Sequence, residues 1–227
     1  MRVLAIDTAL AACSAAVLDT SRGGIIASET LAMNRGHAEA LMPLIARVMD
    51  QAGIEFADLD RVAVTTGPGS FTGLRVGISA SRGIALAAGK PAIGLSTLAG
   101  FAAPLIAEDD NSNVVAVIDA RHDHVYIQVF GTGGRTLVSP RAATLRDAIR
   151  AAITGPVRVV GSGANLLATA WPKGVEPPLL VDNSGAPDVA WIARLGAAAA
   201  EAYGPPRPLY LRAPDAQPQD AARLPRR

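Results

Sequence analysis

The sequence predicts an α/β fold made of two similar halves, and three observations carry the prediction. A short apolar run at residues 2–7 ends in Asp7 and enters a hairpin. The same arrangement returns at residues 114–119, ending in Asp119. Between them, residues 61–88 read as a strand, a glycine-rich turn and a helix, the unit from which mixed sheets with helical cover are built.

Local pattern justifies each element in turn. Residues 13–19 and 25–32 continue as strands, parted by the turn composition Ser21-Arg22-Gly23-Gly24. A helix is expected over 38–52, where Leu41, Leu44, Ile45, Val48 and Met49 recur at helical spacing. Pro43 must then lie in its first turn or kink it. The strand at 61–66 and the helix to 88 lead to a short strand at 91–95, and the polar, acidic stretch 104–113 reads as a linker. In the second half, 114–119 and 125–131 pair as a hairpin around Arg121-His122-Asp123-His124. A helix near 144–153, a strand at 157–161 and the turn Gly161-Ser162-Gly163 follow, and then loop-rich chain over 171–187. A last helix is expected over about 187–203, capped by Gly204 and stopped by Pro205-Pro206. The plan is thus a first subdomain over 1–103, a second, reduced one over 104–186, and a helix at 187–204 packing back on the first. The polar, proline-rich stretch 213–227 is expected to be disordered.

Composition bounds the function. With 227 residues, half of them hydrophobic and 18% charged, the chain can bury a substantial core. Its 21 Lys and Arg nearly balance 20 Asp and Glu, which excludes the basic field that would make nucleic-acid binding an autonomous property. The single cysteine, Cys13, excludes an internal disulfide, reads as a small core residue, and fits a reducing compartment. No apolar run is long enough to span a membrane, and the first residues lack a signal-peptide pattern. A cytoplasmic protein with no membrane contact is the expectation.

The turn Gly67-Pro68-Gly69-Ser70, continuing through Thr72, has two readings: a structural elbow or a cradle for an anion. It lacks the lysine of a P-loop, and Thr72 stands where a dinucleotide fingerprint needs glycine. Ser70 or Thr72 can cap the helix that follows. Along that helix Gly73, Gly77, Ser81 and Ala85 recur every fourth residue, a small-residue stripe that admits a close neighbour. The neighbour is either the protein's own sheet or a helix of another chain.

Duplicated strand-to-hairpin halves are the plan of the actin/hexokinase/Hsp70-like ATPase superfamily, and five segments sharpen the likeness. Val3-Leu4-Ala5-Ile6-Asp7-Thr8, His37-Ala38-Glu39-Ala40-Leu41-Met42-Pro43, Gly67 to Arg75, Ile118-Asp119-Ala120-Arg121 and Pro208-Leu209-Tyr210-Leu211-Arg212 resemble the TsaB (YeaZ) family over about residues 1–212. These are bacterial tRNA threonylcarbamoyladenosine (t6A) biosynthesis proteins. The resemblance implies the duplicated ATPase-like fold, with two βββαβα-type subdomains. It implies a non-catalytic scaffold that pairs with TsaD, the enzyme transferring threonylcarbamoyl to adenosine 37 of ANN-decoding tRNAs. It implies homodimers, a larger assembly with TsaE, and tRNA contact only through the complex. On this reading the partner surface lies on the helices at 38–52 and 72–88, at Leu41, Leu44, Ile45, Val48, Gly73, Leu74, Gly77 and Ser81. Gly77→Leu or Ser81→Arg would then abolish pairing and spare the fold.

The residues themselves bear on the non-catalytic part. TsaD-type metal sites use His-x-x-x-His, with two imidazoles on one helical face; here His37 is followed one turn later by Leu41. His122-Asp123-His124 lies in a hairpin turn with no cysteine or further histidine to complete a site, so no metal is expected. The first hairpin turn, Thr8 to Ser14, holds neither glycine nor lysine. The resemblance implies that Asp7, Ser14, Asp119, Gly161 and Gly163 are vestigial nucleotide-binding positions, while both aspartates equally suit strand-end turn chemistry; weak nucleotide binding and no tightly bound cofactor are the expectation. The alternatives are an ATP-dependent kinase or transferase using Asp7 and Asp119 with Mg²⁺, and a glycoprotease-like metallopeptidase, which lacks its ligands.

Overall fold

In a computed structural model of the protein, residues 1–108, 111–200 and 204–212 are described. The first sheet comprises β1 (Arg2–Asp7), β2 (Ala12–Asp19), β3 (Gly24–Ala32), β4 (Arg61–Gly67) and β5 (Ala92–Ser96), ordered β3-β2-β1-β4-β5. The second comprises β6 (Asn113–Asp119), β7 (His124–Phe130), β8 (Thr136–Thr144), β9 (Val157–Val160) and β10 (Leu180–Asp182), ordered β10-β9-β6-β7-β8. Counted from its own first strand, each sheet has one topology. The first three strands are antiparallel neighbours, and the next two add in parallel beside the first. The duplication predicted from Asp7 and Asp119 is thus a duplication of the whole subdomain plan.

Alternation along the strands sorts the core into layers. In the first sheet, Leu4, Ile6, Val62 and Val64 face α1 (His37–Ala52) and α2 (Phe71–Ala88). Val3, Ala5 and Ala63 face the opposite way, toward α6 (Val189–Ala198). In the second sheet, Val115 and Val117 face α4 (Leu145–Ala152) and α5 (Ala164–Thr169). Val114, Ala116 and Ile118 face α3 (Thr97–Glu108). Each half therefore sends its third helix to cover the other half's sheet. α3 follows β5 yet packs on β6, and α6 follows β10 yet packs on β1, β2 and β4. The two exchanged helices meet where a Cβ on Gly100 would press into Ile192 and Pro187.

A buried arginine lies at the far end of each exchanged helix. Arg61, on β4, donates from Nη1 to the carbonyls of Gly196 at 3.0 Å and Ala199 at 2.8 Å, satisfying groups that a helix C-terminus leaves without partners. Arg158, on β9, lies 3.9 Å from Glu108 at the end of α3.

The structure corrects and extends the sequence reading at several points. The stretch 104–113 is not a linker at its start, because α3 runs to Glu108 with Pro104 inside it and Leu98, Phe101, Ala102 and Leu105 buried on one side. β8 was hidden by Pro140, which an edge strand tolerates because its outer N–H groups have no ladder partner. β10 and α5 lie in chain read as turn and loop. α6 runs from Val189 to Ala198 rather than from about 187 to 203. Of the two expectations for Pro43, the first turn is excluded, since it lies further inside α1. The stretch 213–227 lies outside the described residues. Among the described residues no helix is long and apolar enough to cross a membrane.

Arg61→Met keeps an apolar stem and removes both bonds to the end of α6. The unfolding free energy is expected to fall by about 2 kcal/mol, with faster amide exchange in α6. An unchanged urea midpoint would show that Arg61 does not hold this helix.

Candidate functional site

The site is built where the first hairpin turn meets the start of α2. The elbow carries a cis Gly67–Pro68 peptide, and Gly67 has φ +119°, a conformation costly for any residue with a side chain. Ser70 is the N-cap, its Oγ accepting from the Gly73 N–H at 3.3 Å. The backbone N–H of Ser70 donates to the Ala9 carbonyl at 2.7 Å, and Thr8 Oγ1 donates to the Gly73 carbonyl at 2.7 Å. A Cβ on Gly69 would overlap the Ala9 carbonyl oxygen, one on Gly73 the Thr8 carbonyl oxygen, and one on Gly77 the Thr8 hydroxyl. The elbow is therefore a backbone-to-backbone clasp. It closes the first hairpin turn onto the start of α2.

That clasp corrects the expected partner surface. Leu41, Leu44, Ile45, Val48, Gly73, Leu74, Gly77 and Ser81 are all buried in this chain's own core. The small-residue stripe exists to let α2 lie against β1 and its turn. Leucine at position 77 would disrupt the fold it was expected to spare. What α1 and α2 turn outward is instead Met42, Ala46, Thr72, Ser79 and Gly83, all exposed, with Val76 half-buried among them.

Above the clasp, a cleft of about 660 Å³ opens between the halves. Its walls include Arg35, His37, Ser70 and Phe71 from the first half, Asp119, Arg121 and Tyr126 from the second, and Leu209–Arg212 from the segment after α6. That segment is held by the Leu209 N–H, which donates to the Thr66 carbonyl at 2.8 Å, and by Pro206, which packs on Gly94. His37 opens α1, is buried, and donates from Nε2 to the Leu10 carbonyl at 3.0 Å. One turn on, Leu41 is core. Among the described residues no group of three His, Cys, Asp or Glu side chains is placed to hold a metal.

The two strand-end aspartates share one turn chemistry and differ in environment. Asp7 Oδ1 accepts from the Ala9 N–H at 3.2 Å, and Asp119 Oδ1 accepts from the Arg121 N–H at 2.8 Å. Asp119 is exposed and lines the cleft. Asp7 is fully buried, takes a 2.5 Å bond from Thr65 Oγ1, and leaves Oδ2 without a partner. Burial pushes its carboxyl up to about 6, against the opposing pull of Thr65, the Ala9 N–H and His37. Ser14 lies directly across from Asp7 on β2 and is equally buried. Gly161 and Gly163 abut the β6 backbone, at the Val117 carbonyl and at the Asp119 N–H and Ile118 carbonyl carbon. Of the five positions read as vestigial nucleotide ligands, Asp119 lines the cleft, Asp7 and Ser14 are buried side by side, and Gly161 and Gly163 lie against β6. Arg35, Phe71, Tyr126 and Tyr210 escaped the sequence reading, since four separate segments bring them together.

Two sheets of one topology, with exchanged covering helices around a shared cleft, define the duplicated actin/hexokinase/Hsp70-like class of protein. A family profile described as TsaD, tRNA N6-adenosine threonylcarbamoyltransferase, matches residues 12–177. The tRNA threonylcarbamoyladenosine biosynthesis protein TsaB of Escherichia coli (strain K12) is 38% identical over 126 residues, 56% of this chain and 53% of that protein. An uncharacterized protein of Mycobacterium bovis is 32% identical over 216 residues, 95% of this chain and 94% of its own. A solved structure, YeaZ from Pseudomonas aeruginosa, superimposes with TM-score 0.75 at 28% identity, covering 92% of this chain and 99% of that one. The match spans about half the length of the TsaB relative. The chain belongs to the TsaD family, in its TsaB/YeaZ branch.

Gly77→Ala is expected to cost about 1–3 kcal/mol of stability through overlap with Thr8, read as a lowered melting temperature; an unchanged value would refute the clasp. The raised carboxyl of Asp7 also predicts a pH profile. Its stabilising share is complete below the unfolded value of about 4 and is lost as pH rises through about 6. Over that window wild type should lose up to about 3 kcal/mol relative to Asp7→Asn. Parallel denaturation curves for the two from pH 4 to pH 8 would contradict this.

Proposed function

We propose that this chain takes part in tRNA threonylcarbamoyladenosine biosynthesis as the non-catalytic partner of a TsaD-type threonylcarbamoyltransferase. The observation that carries the reading is the replacement at the family's metal position. The fold is kept whole, His37 is spent on the Leu10 carbonyl, and the residue one turn later is Leu41, packed in the core. A chain that keeps the scaffold and has apolar packing in place of a ligand is suited to holding a partner rather than turning over substrate. The kinase alternative is disfavoured by Asp7, whose carboxylate is buried on Thr65 and does not line the cleft. The role requires no tightly bound cofactor.

Partner docking is assigned to the outward face of α1 and α2, beside one another on the first sheet. Ser79, Gly83 and Thr72 keep α2 low, so a second helix can approach closely. Met42, 49% exposed, offers an adaptable apolar anchor. Arg47, on α1, is paired with Glu29 at 2.6 Å, which lowers the charge to be desolvated. A homodimer would use the same face isologously and so compete with the heterodimer. TsaE would join the assembled pair, and the catalysed step would remain with the transferase.

The test is light scattering coupled to size exclusion, on the chain alone and mixed with the TsaD transferase from the same source. A one-to-one heterodimer is expected. Gly83→Arg should abolish it, since nothing lies within 4 Å of that position and arginine favours a helix more than glycine does. A heterodimer that forms normally with Gly83→Arg would remove α2 from the interface. No association of the wild-type chains at micromolar concentration would remove the reading itself.

A further inference from the structure

The mouth of the cleft carries an aromatic platform edged by arginines. The Phe71 and Tyr210 rings stack with centroids 5.3 Å apart, and the Arg75 guanidinium lies over Phe71 at 3.7 Å. Arg75 Nε also donates to the Tyr210 hydroxyl at 3.1 Å, so the platform is held rigid while Phe71 and Tyr210 stay 40% and 43% exposed. Arg35 and Arg121 line the cleft beside it, both exposed, and among the described residues neither side chain has a hydrogen bond or ion pair. Arg121 is presented by three successive left-handed residues, Arg121, His122 and Asp123, with φ 61°, 51° and 58°. Non-glycine residues adopt that conformation at a cost and cluster in it at binding sites. Asp119 is the single carboxylate among the described lining residues, and its Oδ1 already accepts from the Arg121 N–H.

We propose that this surface binds single-stranded RNA, with bases stacking on Tyr210 and phosphates held by Arg35 and Arg121. The chemistry favours an extended polyanion over a mononucleotide. The clasp between Ala9 and Ser70 removes the enclosed amide cradle a nucleoside triphosphate would need, whereas open arginines beside an exposed ring suit a strand passing across the mouth. The inference rests on the role in tRNA modification proposed above, and gives this chain a direct RNA contact within that role. The near-zero net charge of the whole chain makes the contact local.

The experiment is fluorescence anisotropy with a fluorescein-labelled oligouridine of about twelve nucleotides, on the chain alone and on its complex with the transferase. Arg35→Glu combined with Arg121→Glu should weaken binding by about tenfold or more and flatten the log–log salt slope by about 1.4, two phosphate contacts' worth. Tyr210→Ala should weaken it by about fivefold to a hundredfold, and Tyr210→Phe should retain wild-type affinity. Wild-type binding by the arginine double variant in both settings would overturn the proposal. Equal affinities for Tyr210→Ala and wild type would do so too, leaving non-specific charge alone, and competitive displacement by micromolar Mg-ATP would make it a mononucleotide site. Light scattering separates the two readings. Variants that still pair while wild type ignores RNA sink only the RNA contact, whereas a wild type that binds RNA in the predicted pattern and never pairs sinks only the scaffold.

Discussion

The contact on which the rest of the molecule depends is the clasp between the first hairpin turn and the start of α2. Backbone lies on backbone there, which only glycine permits at positions 69 and 73, and the Thr8 hydroxyl fills the space that glycine leaves at 77. Two hydrogen bonds, Ser70 N–H to Ala9 and Thr8 Oγ1 to Gly73, fasten the approach. Because α2 cannot rise from the sheet, the floor of the cleft is closed, Phe71 is carried to its mouth, and the outer side of α2 is set as a flat helical surface. The outer face of α2 and the cleft are two consequences of one steric arrangement.

The exchange of α3 and α6 is the second constraint. A sheet with one helix-covered face must bury the other, and here each half's remaining face is covered by a helix from its opposite. The apolar layer of Val3, Ala5 and Ala63 is completed by Ile192 and Ala193, and that of Val114, Ala116 and Ile118 by Leu98 and Phe101. Neither half has a complete core alone. Arg61 fastens the far end of α6 to the sheet it covers. The relation between the halves, and with it the width of the cleft, is set by core packing.

Much of this was legible in the sequence where a single segment carried the signal. The strands ending at Asp7 and Asp119, the helices at 37–52 and 71–88, and the elbow with its Ser70 cap all follow from local periodicity and turn chemistry. The stripe of Gly73, Gly77 and Ser81 was legible as a close approach, but not the identity of the neighbour, because spacing along a helix cannot tell which face meets the sheet. α3 was obscured by Pro104, and β8 by Pro140, each tolerated for a tertiary reason. The cleft's own side chains were the least legible. Phe71 and Arg75 meet Tyr210 across 135 residues or more of chain, and no pattern in one dimension joins them.

Duplication makes the difference between the two aspartates informative. Both end the first strand of their half, and both bond the N–H two residues on, so local chemistry does not distinguish them. Their surroundings do. Asp7 is sealed beneath the first half's packing, with Thr65 on one oxygen and none on the other, and its proton is held to about pH 6. Asp119 stays in the open cleft beside Arg121. A carboxylate that must meet a cation or a reacting phosphate has to be both ionised and reachable, and Asp7 falls short on the second count at any pH. The same strand-end position is thus sealed in one half and open to the cleft in the other. The open half instead presents Asp119 and Arg121 to the cleft.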